Sequence, residues 1–454
     1  MATFRRPGRG GIALADGSHA LARPGLIRAA MRRPGISTTG ANFAILGGSA
    51  LAGVASARAL GPDGRGQLAI VMLWTALIYM LGNVGLPSSC CYHVALWPTH
   101  RPALAQWFRH VAVRQAVGMS VVSAAALWWF HLHMHLPTLL IGEYCTWAAA
   151  ANFALYAACY AQGKGDFARF NLIRIVPSVA PGFLILAEVT LGRPSTAEVG
   201  AAYMLPTWIT AAVAYLWLRD RNCGGPAPML SDRRRRAILS YGWRSLASFS
   251  SLTLNRNADQ AVLALLVPVG SLGIYSVAAS ASSPLASLAA SLGMVGLPTI
   301  TAMTGRSKGT STWKILFRAA LFIFLVAPML ALVLPWAIPL LYGRQFASAV
   351  MPAELLLLGG AFAALASVTD DLLRAHGHPG FVSITQGLGG LVTLVGTLLL
   401  GGRPLGAVAI ASSLGFFVAF VLALARLCVA TRALTGPGRH RRSSQSPEPS
   451  MVDA

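Results

Sequence analysis

The chain has 454 residues, 55% of them hydrophobic and only 11% charged, with 36 Lys and Arg against 14 Asp and Glu for a net charge of +22. A soluble domain carries roughly 25% charged residues, so this charge load cannot cover a water-facing surface and lipid must face much of it. On a soluble protein the positive excess would mark nucleic-acid binding; here the charges sit in short connections between apolar segments, which excludes that class.

The chain opens on a Gly/Pro/Arg-rich leader, residues 1–35, ending at Arg32-Arg33-Pro34. No short apolar core with a small-residue cleavage site follows it, so it reads as the basic flank of an uncleaved signal anchor. A bilayer span needs about 20 mainly apolar residues. Such segments lie near 36–57, 67–91, 109–131, 136–160, 168–190 and 196–218, then near 238–265, 273–299, 315–337, 352–373, 380–400 and 406–430. The expected fold class is all-α and integral to the membrane, with about twelve transmembrane helices. Residues 36–218 form an N-terminal six-helix lobe and residues 238–430 a C-terminal one. A basic linker, 219–237, joins them, and a polar Pro/Ser-rich tail, 431–454, is expected to be disordered.

The basic residues test this map, because loops retained in the cytoplasm collect Lys and Arg. One side takes the leader, Arg101, Arg109, Lys164, Arg169, the linker with its Arg233–Arg236 run, Arg306, Lys308, Lys314, Arg374 and the tail. Only Arg58, Arg65, Arg193, Arg344 and Arg403 fall on the other. Both termini are therefore expected in the cytoplasm.

The halves repeat each other. Gly82-Asn83-Val84-Gly85-Leu86-Pro87 ends the second span, as Gly293-Met294-Val295-Gly296-Leu297-Pro298 ends the eighth. Pro62-x-Gly64 matches Pro268-x-Gly270, and Ala161-x-Gly163-x3-Phe167 matches Ala375-x-Gly377-x3-Phe381. Six spans per half give a parallel repeat, common in transporters that work by alternating access. Pro87 and Pro298 are candidate hinges, since a missing backbone hydrogen bond lets a helix bend; static kinks are the alternative.

On the seventh span Arg244, Ser248, Ser251, Asn255 and Asp259 fall within an arc of about 80°. On the first, Thr38, Asn42, Ser49, Gly53 and Ser56 share a face. Such stripes are costly against lipid and should face protein or a wet cavity. Arg244, Ser248, Ser251, Asn255, Arg256, Asn42 and Ser49 are thus candidate substrate contacts, with helix–helix glue by Ser, Asn and Gly the competing reading. Arg256 stands three residues before Asp259, close enough to neutralise it. Asp370 and Asp371 either couple to protons or sodium or pair with Arg374 at a helix end. Arg114 and Arg174 lie near basic helix ends, where snorkelling accounts for them.

Elsewhere the chemistry is sparse. There is no phosphate-binding loop, so ATP does not drive the protein directly. The six Cys show neither metal-ligand spacing nor a disulfide framework. His131-x-His133-x-His135 lacks a nearby carboxylate other than Glu143, and interfacial histidine is the default reading. No metal or cofactor is expected; a proton or sodium gradient is the candidate energy source. Enzymes acting on lipid-linked sugars need a long ordered outward loop, and the outward connections here are short.

Ala59-Leu60-Gly61-Pro62-Asp63-Gly64-Arg65-Gly66, the following Gly-x-Val-Gly-Leu-Pro, and Asn257-Ala258-Asp259-Gln260 with Leu272-Gly273-Ile274-Tyr275-Ser276-Val277-Ala278 carry a resemblance. They are similar to the polysaccharide flippases of the multidrug/oligosaccharidyl-lipid/polysaccharide exporter superfamily. That resemblance implies two six-helix lobes in a V with alternating access to a central cleft. It also implies a substrate of polyprenyl-pyrophosphate-linked oligosaccharide for surface polysaccharide synthesis. Membrane lipid and other polysaccharide-assembly membrane proteins are the implied partners, and no nucleic acid. Cavity arginine suits the pyrophosphate through charge-assisted hydrogen bonds. A cation-coupled multidrug exporter, or a flippase of another lipid-linked precursor, is the alternative within the superfamily.

Overall fold

The computed structural model describes residues 34–218, 230–301 and 305–435, and of residues 34–37, 247–249, 286–306, 379 and 433–435 only the backbone or nothing. Most of the leader, the Cys-Gly-Gly-Pro of the linker and the tail from residue 436 lie outside the described residues, as do the side chains of Ser248 and Pro298.

Among the described residues, twelve helical spans are present at the positions read from the sequence. They form α1 (Pro34–Gly82), α2 (Leu86–Leu96), α3 (Arg101–Met134), α4 (Thr138–Tyr144), α5 (Trp147–Lys164), α6 (Phe167–Leu191) and α7 (Thr196–Leu218). The second half holds α8 (Asp232–Leu266), α9 (Val269–Thr301), α10 (Gly305–Tyr342), α11 (Val350–Ala375), α12 (Pro379–Leu400) and α13 (Leu405–Thr435). Two details differ from expectation. The connection expected over 58–66 is almost absent: α1 carries both of the first two spans and breaks only at Gly61, with φ 68° and ψ −174°. That backbone suits glycine, and Pro62 then opens the second arm where its missing N–H costs nothing. The fourth span is divided into α4 and α5 by a turn at Cys145-Thr146.

The outward faces are apolar. On α10, Phe324, Trp336 and Leu340 are 73%, 72% and 70% exposed, a surface only lipid can cover. Within lipid, helices associate through close packing and not through hydrophobic transfer, so small residues gather at contacts. α5 illustrates this, burying Ala148, Ala150, Ala154, Ala157, Ala158 and Ala161 between its neighbours.

Both lobes use the same pairings. α1 packs on α6 as α8 packs on α12, α5 on α7 as α11 on α13, and α3 on α5 as α10 on α11. The lobes meet along a seam formed by the second arm of α1 with α2 on one side and α8 with α9 on the other. At the end away from the basic residues, Gly66 abuts the Val269 carbonyl and Gly273 the Pro62 carbonyl, leaving no room for a Cβ on either. One hydrophobic cluster crosses the seam there, with Leu68 and Ile70 on one side and Leu272 and Tyr275 on the other. At the basic end the Ser89 hydroxyl donates to the Ile238 carbonyl at 2.8 Å and Tyr92 stacks on Tyr241 at 4.7 Å. Arg234 reaches His100 Nε2 at 2.5 Å and covers the Trp97 ring. At the basic end one core joins the first lobe to Leu230 and Ile238 of the second, and another lies among α10, α11, α12 and α13. In this conformation the seam is therefore closed at both ends.

Gly66→Ala and Gly273→Ala each force a methyl group into opposing backbone, which cannot swing aside. Spin labels on the two lobes at that end are expected to move apart in either variant, while labels within one lobe keep their separation. An unchanged inter-lobe distance would show that the glycine contacts do not hold this end shut.

Candidate functional site

A cavity of about 450 Å³ opens inside the first lobe, walled by both arms of α1, α5, α6 and α7, with Ser280 of α9 reaching in from the second lobe. Two arginines line it, Arg65 on the second arm of α1 and Arg174 on α6, together with Ser49, Tyr79, Tyr203 and Thr207. No Asp or Glu contributes to the wall.

Each arginine is held by the polar stripe of the first arm. Arg174 donates from Nη2 to Asn42 Oδ1 at 2.9 Å and lies over the Phe170 ring at 4.9 Å. Arg65, only 9% exposed, donates from Nη1 to Ser56 Oγ at 3.1 Å, while its Nε is buried without a partner. Ser56 in turn donates to the Gly53 carbonyl. Both arginines keep their charge, since guanidinium does not deprotonate in proteins. A cavity with two fixed cations, hydroxyl and aromatic walls and no counter-charge is suited to an anion with a polar body attached.

The candidates named from the sequence divide between the lobes. Asn42 and Ser49 belong to this cavity system. On α8 the stripe meets α12 and α9 instead. Ser251 faces Gly387 of α12. Asn255, fully buried, donates to Gln386 Oε1 at 2.8 Å, and Gln386 donates to Asp370 Oδ2 at 2.8 Å. Asp259 accepts from Tyr275 Oη at 2.6 Å and from the backbone N–H of Gln260 at 2.8 Å. The local pairing of Arg256 with Asp259 expected from spacing does not form. Arg256 is exposed. Asp371 is bonded to Arg374 at 2.8 Å, the helix-end pairing weighed above, whereas Asp370 is not. Arg244 is exposed toward the basic end and donates to the Ser240 carbonyl of its own helix. Pro87 stands at the start of α2, so the break in the chain is carried by Val84 and Gly85, both at positive φ, and not by proline inside a helix. The backbone at position 298 is helical within α9. His131 and His133 are each bonded to a backbone carbonyl through Nδ1.

Sequence reasoning missed Arg65, which had been placed in a connection, and the wall residues Tyr79, Tyr203 and Thr207. The signal available was Arg65 following Pro62-x-Gly64, where the helix resumes too soon for a loop.

The family model described as polysaccharide biosynthesis protein matches residues 33–304. The chain belongs to that family. No curated protein matches it in sequence. Among solved structures it is similar to an inward-facing multidrug resistance MATE family transporter of the MOP superfamily, at 14% identity and TM-score 0.70, covering 86% of this chain and 95% of that one. It is also similar to the lipid II flippase MurJ in an inward closed conformation, at 12% identity and TM-score 0.65, covering 88% and 89%. An outward-facing MATE structure matches at 15% identity and TM-score 0.59, covering 88% and 97%. At these identities the likeness is one of fold.

Two predictions follow from these contacts. Asn255→Ala removes the donor to Gln386 and loosens the α8–α12 contact by about 1 kcal/mol, the scale of interhelical hydrogen bonds in membranes; thermal unfolding in detergent reads it, and an unaltered midpoint would mean the buried chain is dispensable. In the turn after α11, His376 lies against Thr312, and burial, then the charges of Lys308 and His378, lower its pKa below the ordinary imidazole value. A folded pKa below the unfolded one means stability is full above about pH 6.5 and falls as pH drops through that value. His376→Gln is expected to lose less stability than the native chain between pH 7.5 and 5.5, and equal losses would remove the histidine as the cause.

Proposed function

We propose that this chain is a flippase, and not an enzyme, that carries a polyprenyl-pyrophosphate-linked oligosaccharide across the bacterial inner membrane for surface polysaccharide synthesis. The observation that carries the reading is the acid-free cavity with Arg65 and Arg174 on its wall. Phosphate oxygens are the natural partners of two guanidinium groups held by amide and hydroxyl oxygens. Ser49, Thr207 and the two tyrosines offer hydrogen bonds to sugar hydroxyls, and the lipid tail remains in the bilayer. A multidrug exporter for cationic compounds fits less well, because a cation meets no carboxylate in this cavity. The family match and the fold shared with a lipid II flippase support the same class of substrate.

In this reading the basic end faces the cytoplasm, by the retention of Lys and Arg there, and both termini lie on that side. The headgroup enters when the lobes part at the basic end and leaves when they part at the other. A proton or sodium gradient is the proposed driving force, with Asp370, bonded to Gln386, as the coupling site. Asp370 Oδ1 has no hydrogen-bond partner among the described residues.

Each charge-assisted hydrogen bond contributes about 1.5–3 kcal/mol, or roughly ten- to hundredfold in affinity. Arg174→Ala and Arg65→Ala are expected to lower flipping by that order at unchanged expression, with lipid-linked oligosaccharide accumulating on the inner leaflet. Full transport in both variants refutes the site, and deletion that alters drug resistance but not glycolipid refutes the substrate. Flipping that persists after both ion gradients are collapsed removes the coupling proposal.

A further inference from the structure

A second cavity, of about 540 Å³, lies at the basic end of the first lobe and shares no lining residue with the Arg65–Arg174 cavity. Its wall carries four cations, Arg101 and Arg109 on α3, Lys164 at the end of α5 and Arg169 in the first turn of α6, with Tyr160 and Trp217 beside them. Asp166 is the single carboxylate of the wall. It is already engaged, 3.4 Å from Arg169 Nε and accepting the Arg169 backbone N–H at the start of α6. Arg101 is held in place by the Val94 carbonyl at 3.1 Å. Lys164 lies over the Tyr160 ring at 5.6 Å and Arg169 over Trp217 at 5.3 Å. Among the described residues, neither Arg109 nor Lys164 has an ion pair or a hydrogen bond.

Excess positive charge around a cavity is costly to hold without a counter-ion, and these charges converge from three helices. The floor is apolar, with Pro102, Ala105 and Ala157, and amphipathic rings such as Tyr160 and Trp217 favour the headgroup level of a bilayer. Basic pockets between helices at that level suit phosphate-bearing headgroups. We infer that this cavity binds the phosphate of an anionic phospholipid from the adjoining leaflet, at a site separate from the transport passage. The volume exceeds that of one phosphate ion, leaving room for the glycerol that bears it. The shared chemistry is phosphate, and a free phosphate ion is the competing source.

The test uses the purified full chain, delipidated in neutral detergent and then titrated with diphosphatidylglycerol, with phosphatidylethanolamine as the zwitterionic control and bound lipid read by native mass spectrometry. The native chain is expected to retain diphosphatidylglycerol over the control. A basic residue near a membrane surface contributes about fivefold in affinity, so Arg109→Gln with Lys164→Gln should weaken retention by about 25-fold. Neither side chain is hydrogen-bonded to the protein, so the pair should fold, and Arg109→Lys with Lys164→Arg should restore binding. Arg174→Ala serves as the control for the transport cavity and should leave retention unchanged. Equal retention by the glutamine pair overturns the site. Displacement of the lipid by millimolar inorganic phosphate, lost in the same pair, overturns the lipid source and assigns the cavity to the free ion. If Arg174→Ala abolishes retention, the lipid sits in the transport passage and the inference fails while the proposed function stands.

Discussion

Arginine at membrane depth is tolerated only where it meets water, an anion or a set of oxygen acceptors. Arg65 and Arg174 meet the first arm of α1, whose Asn42 and Ser56 accept from them. That polar face serves both cations, although Arg65 Nε is left without a partner. That face also fixes where the cavity opens: a helix whose oxygens point at two arginines cannot pack dry against α5. The packing of the lobe and the presence of its cavity are one constraint.

The repeat makes the comparison of lobes informative. α1 pairs with α6 as α8 pairs with α12, so the stripes on α1 and α8 occupy equivalent places. They are used differently. On α8, Asn255 and Asp259 are sealed by Gln386 and Tyr275, which supply a hydrogen bond to each. A sealed stripe holds helices together, since the alternative to pairing is a bare polar group in a dry interior. The stripe on α1 instead gives its oxygens to the two arginines of the cavity.

Much of the architecture was legible in the sequence for a physical reason. Hydrophobic length sets the span count, and the lopsided distribution of Lys and Arg fixes which spans can exist without scrambling it. The candidate site was legible only in part. Periodicity tells which residues share a face but not what that face meets, so α8 and α1 looked alike until Gln386, 131 residues from Asn255, was seen opposite it. Arg65 was missed because a charged residue beside Pro62 and Gly64 reads as loop, whereas the chain bends at Gly61 alone and is helical again at once. Asp370 was weighed as a partner of Arg374, the nearest cation in sequence; the fold gives that role to Asp371 and turns Asp370 inward.

The seam between lobes is held at both ends. Away from the basic residues, glycine lets backbones touch and one apolar cluster runs through both lobes. Toward the basic end, Ile238 of α8 packs into the core of the first lobe, Gly85 meets the Gly242 carbonyl with no room for a Cβ, and a hydroxyl bond, a tyrosine stack and the Arg234–His100 contact join them. Glycine against backbone and apolar side chains shared between lobes thus occur at both ends of the seam, and parting the lobes at either end exposes packed surface.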